Sequence, residues 1–134
     1  MGLENLEKLV GRWAMAGEAS GTITWRWAEG RRFLFQDFDI RVRGKHHTGL
    51  EVIGYLQPLN AARSAEIWSR VYDFNTALTL DYVYEMEGNE LIIWFRHKGS
   101  DNRMRGLFSP DGRHFDGAWK WPGGGYDFQG NRLE

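Results

Sequence analysis

The sequence predicts an all-β fold: a closed, antiparallel, up-and-down β-barrel of about ten strands with a short N-terminal helix. Three observations carry that expectation. Strand-like segments follow one another along almost the whole chain, joined by turns too short for a crossover helix. Glycine makes up 17 of 134 residues, against about 7% on average, and the glycines fall where strands must turn or bend. Twenty aromatic residues (8 Phe, 5 Tyr, 7 Trp) supply the bulk to fill or line such a barrel. A meander of that many strands gains by closing, because closure removes its exposed edges.

Taken in order, residues 1–10 read as a short helix. Leu3, Leu6, Leu9 and Val10 recur at three- and four-residue spacing, and Gly11 stops the period. A first strand spans 12–18. The second, 21–28, alternates Ile23, Trp25 and Trp27 with Thr22, Thr24 and Arg26, and Ala28-Glu29-Gly30 turns it. A long third strand, 31–42, ends at a tip marked by Gly44, and a fourth, 48–57, is broken by Pro58. The fifth is 64–74. The sixth, 77–85, has Leu78, Leu80, Tyr82 and Tyr84 on one face. Glu87-Gly88-Asn89 is a hairpin turn into the seventh, 90–97. The eighth, 102–108, and the ninth, 113–121, flank Ser109-Pro110-Asp111-Gly112, which has Pro and Gly placed for a tight turn. A short tenth, 125–130, follows the glycines at 123–125. The whole, 1–134, is one domain by length. Leu133-Glu134 reads as a remnant of cloning and is given no function.

Composition narrows the function classes. No cysteine is present, which rules out disulfides and thiolate metal sites and suits a reducing, cytoplasmic location. No apolar run is long enough to span a membrane, and the N-terminus lacks the basic-then-apolar order of a secretory signal. A net charge of −1, from 17 basic and 18 acidic residues, argues against a nucleic-acid partner. The basic stretch Arg41 to His47 is expected to be a solvated hairpin tip rather than a phosphate-binding patch. No nucleophile elbow, phosphate loop or dinucleotide fingerprint occurs, so no cofactor is expected.

The candidate chemistry is that of a lined interior. By strand parity and ring content, Trp25, Trp27, Phe35, Trp68, Arg70, Tyr72, Tyr82, Trp94, Arg96 and Trp119 are the candidate lining residues. Arg70 lies between Trp68 and Tyr72 on one face, and Arg96 follows Trp94 on one face. Either guanidinium, if inside, would anchor an anionic head group bidentately. If outside, Arg70 would pair with Asp81 or Glu85 across strands. Asp37 and Asp39 share a face with Phe33 and Phe35, either as an interior carboxylate pair or as solvent-facing groups. His46 and His47 point to opposite sides of their strand and are expected at the surface rather than on a metal. The expected partner is a small apolar or amphipathic ligand. A small isomerase or cyclase using a buried carboxylate, Tyr or His stays open, as does a filled barrel that acts through its outer surface as a homodimer.

Gly11-Arg12-Trp13, directly after the helix, resembles the Gly-x-Trp start of lipocalin and calycin barrels. Across nearly the whole chain, the order of "TITWRWAEGRRFLFQDFD", "GLEVIGY", "VYDFNTALTLDYVY" and "RMRGLFSPDGRHFDGAWKW" is similar to small bacterial lipocalin-like proteins of unknown function. The resemblance implies that Trp13 plugs one end of the barrel and that Arg132 packs across its indole as a cation–π pair. It brings no catalytic residues. The Arg-x-Tyr order of fatty-acid-binding proteins is missing near the C-terminus. The late His114 has the wrong strand parity for the haem ligand of nitrobindin-like barrels.

Overall fold

The computed structural model describes residues 2–133; Glu134, half of the expected cloning remnant, lies outside them. After a 3-10 helix, Leu3–Leu9, come ten strands: β1 (Gly11–Gly17), β2 (Ala19–Trp27), β3 (Leu34–Val42), β4 (Lys45–Tyr55), β5 (Ile67–Asp73), β6 (Thr79–Glu87), β7 (Glu90–Phe95), β8 (Arg103–Phe108), β9 (His114–Trp121) and β10 (Gly124–Leu133). Each strand pairs antiparallel with the next, and β1 pairs with β10, so the sheet closes into an up-and-down barrel. Among the described residues no helix is long and apolar enough to cross a membrane.

The expected elements are all present, with shifted ends. The third strand begins at Leu34 rather than 31, because Gly30 and Arg31 take positive φ (84° and 56°) and turn the chain. The fourth begins at Lys45, since Arg43 and Gly44 form the whole tip with φ of 51° and 85°. The tenth is longer than expected, because it must run beside β1 as far as the Arg12–Leu133 pairing.

The interior row of each strand follows the pleat. On β2 it is Ala19, Ile23 and Trp25; on β9 it includes Phe115 and Gly117; on β10 it includes Phe128 and Gly130. Gly117 and Gly130 are spaces for rings. A Cβ at Gly117 would stand 2.6 Å from the Phe128 ring, and one at Gly130 would overlap the Phe115 ring.

One end of the barrel is shut. Leu3, Leu6 and Leu9 bury their side chains in it, and Lys8 ties the helix to the β6–β7 turn by donating to the Gly88 carbonyl (2.6 Å). Trp13 is wholly buried beneath the helix. Its indole N–H donates to the Leu9 carbonyl (2.9 Å). Phe108 and Phe115 meet the indole at ring-centre distances of 5.6 and 5.1 Å. The Arg132 guanidinium lies 4.3 Å from the indole centre and donates to the carbonyls of Lys8 (2.9 Å), Val10 (2.5 Å) and Gly112 (3.2 Å). Arg132 therefore satisfies backbone acceptors at the end of the helix while covering the ring.

Candidate functional site

From the shut end toward the opposite mouth the barrel is hollow. Its cavity has a volume of about 520 Å³, within the usual range for small-molecule sites. The mouth lies at the end carrying the β3–β4, β5–β6, β7–β8 and β9–β10 loops. His47, Asp73, Leu78 and Trp121 line the cavity from there. The rest of the wall is largely apolar: Met15, Ile23, Phe38, Ile40, Leu91, Ile93, Met104, Phe108, Phe115, Trp119 and Phe128.

Against that wall runs a polar row made by β4, β5 and β6. Gly49, Glu51 and Ile53 alternate inward on β4, and Glu51 is only 4% exposed. Its register neighbour on β5 is Val71, and the diagonal neighbour Ser69 also faces inward. Ser69 donates its hydroxyl to one Glu51 oxygen (2.6 Å), and Tyr84 of β6 donates to the other (2.8 Å). Burial pushes the Glu51 carboxyl up to about 7, against the pull of those two donors. Tyr84 is raised well above the ordinary tyrosine range, first by burial and then by the neighbouring Glu51 charge. Burial likewise raises Tyr82, which lines the cavity one inward position nearer the mouth.

Two further polar groups face the same space. Gln36 on β3 is paired in register with Glu51 and lines the cavity. The Trp25 indole N–H is buried and, among the described residues, is the one buried side-chain nitrogen or oxygen with no hydrogen-bond partner. It stands close enough to the Tyr84 oxygen to offset part of that hydroxyl's upward shift. Nearer the mouth, His47 Nδ1 donates to Asp73 (2.7 Å). Asp73 also accepts from the backbone N–H groups of Asn75 and Thr76. Burial works against ionisation of Asp73, but His47 and these backbone donors hold its carboxyl below the usual range.

The structure brings three of the expected lining residues together around the cavity: Trp25, Tyr82 and Trp119. The other seven are elsewhere. Trp27 closes the shut end, donating to Glu7 (2.9 Å) under the Arg31 guanidinium. Phe35 is on the outer face beneath Arg26. Trp68, Arg70 and Tyr72 point outward because Ser69, Val71 and Asp73 take the inward positions of β5. Arg70 pairs there with Asp81 (2.7 Å), so it anchors nothing inside. Trp94 is buried on the outer side, continuing a row with Val83 and Trp68 and capped by Lys98. Arg96 lies past the end of β7 at a φ of 72°, over the Phe95 ring.

The carboxylates and histidines sort in the same way. Asp37 and Asp39 are outside, paired with Arg26 (2.7 Å) and His46 (2.6 Å). His47, expected at the surface, is instead an inward residue of the polar row. Among the described residues no group of three or more His, Asp or Glu is placed to hold a metal ion.

Sequence reasoning missed Glu51, Ser69, Asp73 and Gln36. The available signal was parity: Glu51 sits in one alternate row with Gly49 and Ile53, a charge on an otherwise core-like face. No family model and no curated protein matches the chain.

Proposed function

We propose that this barrel is a lipocalin-like binding module that encloses one small, mostly apolar molecule. The observation that carries this reading is the cavity of about 520 Å³, apolar over most of its wall and crossed by a single polar row. Such a site binds by area burial and orients by a few fixed polar atoms. The buried Trp25 N–H, which makes no close hydrogen bond among the described residues, offers a donor to a bound acceptor.

Native mass spectrometry tests this. Protein purified from its own host should carry an adduct of small-molecule mass. Val42→Trp, which places a ring on a partly exposed lining position near the mouth, should lose the adduct and keep its fold. An apo mass together with no thermal shift across a lipid and metabolite panel would refute it.

Glu51 also supports a second reading, proton-transfer catalysis. A buried carboxyl raised to about 7 beside a tyrosine hydroxyl is suited to acid–base work near neutral pH. Recovery of the bound molecule chemically unchanged after prolonged incubation separates binding from turnover.

A further inference from the structure

The cavity has a sign. Two carboxyl groups, Glu51 and Asp73, face it, with the His47 imidazole beside Asp73, and among the described residues no Arg or Lys side chain lines it. The two guanidinium groups that sequence parity offered as anchors are outside. At the rim, Arg43 is bonded to Glu18 and to the Gly125 carbonyl, and Lys98 is paired with Glu85 (2.9 Å).

An anionic head group would enter this space beside two carboxyl groups and meet no lining guanidinium or ammonium among the described residues. Glu51 has the converse problem. Its two hydrogen bonds come from neutral hydroxyls, so its charge is buried without a counter-ion, a state that is costly unless a cation joins it. Trp25, Tyr82, Tyr84 and Trp119 line the same cavity, and aromatic rings attract cations.

We infer that the ligand is an amphiphile whose polar end is a protonated amine, with Glu51 as its counter-ion inside the barrel. The inference rests on the cavity being a binding site. It adds charge selection: amines are taken, neutral alcohols are held more weakly, and carboxylates are refused.

The test uses three probes of equal chain length, octylamine, 1-octanol and octanoate, titrated calorimetrically into the intact protein. Octylamine should bind roughly tenfold or more tighter than 1-octanol, and octanoate weakest. Glu51→Gln should abolish the amine's advantage and leave 1-octanol unchanged. The amine's advantage should also shrink from about pH 8 to about pH 5 as Glu51 takes up its proton.

The groups facing Glu51 are Trp25 on β2, Gln36 on β3, Ser69 on β5, and Tyr82 and Tyr84 on β6, with His47 and Asp73 toward the mouth. His47→Gln, which removes the imidazole beside Asp73 near the mouth, should keep the pH response. Octanoate or 1-octanol binding as well as octylamine would overturn the charge selection and leave the container standing. So would an amine preference that survives Glu51→Gln. If none of the three binds, the binding-site reading falls, and the charge selection with it.

Discussion

Glu51→Gln should make the ligand-free barrel more stable at alkaline pH and change it little in acid. The folded carboxyl titrates at about 7, against an ordinary value of 4.5. Below about 4.5 both folded and unfolded chains hold the proton, and ionisation costs folding nothing. Between the two values the unfolded chain ionises while the folded one resists, so stability falls as pH rises. Above about 7 both are ionised and the full penalty stays. Each pH unit of difference is worth about 1.4 kcal/mol, so the penalty is about 3 kcal/mol.

Glutamine keeps the shape and carries no charge. The Ser69 and Tyr84 hydroxyls can rotate to suit its amide, so the hydrogen bonds persist. The other shifted carboxyls, Glu7, Asp73, Asp81 and Asp111, lie below their ordinary values. They lose stability as pH falls, in both proteins alike, and cancel in the difference. Thermal unfolding of both proteins from about pH 4.5 to about pH 8 reads the result. The variant's Tm should exceed the parent's by about 10 °C at the alkaline end, and the gap should narrow toward zero in acid. A gap that does not change with pH, or a variant less stable at pH 8, would refute the uncompensated burial of Glu51.

Three further perturbations bear on the rest of the barrel. Trp13→Ala empties a wholly buried site and orphans the Leu9 carbonyl; denaturant unfolding should show a loss of about 3–5 kcal/mol, and a loss under about 1 kcal/mol would remove the plug role. Gly130→Val drives a side chain into the Phe115 ring, which itself packs on Trp13; it should cost about 1–3 kcal/mol by overpacking, and an unchanged midpoint would mean that the ring moves aside freely. Arg70→Ala should leave both Tm and octylamine binding unchanged, because the Arg70–Asp81 pair is solvent-exposed and faces away from the cavity; a drop in binding would place Arg70 in communication with the interior.

The barrel was legible in the sequence because its signals are local. Turn residues and alternating rows mark each strand, and the number and shortness of the connections force antiparallel closure. The interior was only half legible. Alternation separates two faces but does not say which is inside. On β5 the row Trp68, Arg70, Tyr72 looked like a lining, whereas the row Ser69, Val71, Asp73 is the lining. The outer row is rich in rings because Trp68, Val83 and Trp94 pack on one another across strands outside the barrel. The inner row tolerates Ser and Asp because a cavity, not a packed core, faces it. Glu51 depends on partners 18 and 33 residues away, and pairing at that distance is fixed only once register is known.

The seam between β1 and β10 has a consequence for assembly. Every other hairpin can form as soon as its two strands exist, but this pairing joins residues more than a hundred positions apart, such as Trp13 and Arg132. Until it forms, the sheet has two bare edges and its Trp13 plug lacks the Arg132 cover. Closing such a distant contact is a slow step in folding, and unpaired edges recruit other chains. A barrel synthesised without β10 would therefore be expected to aggregate rather than to persist as a leaky container.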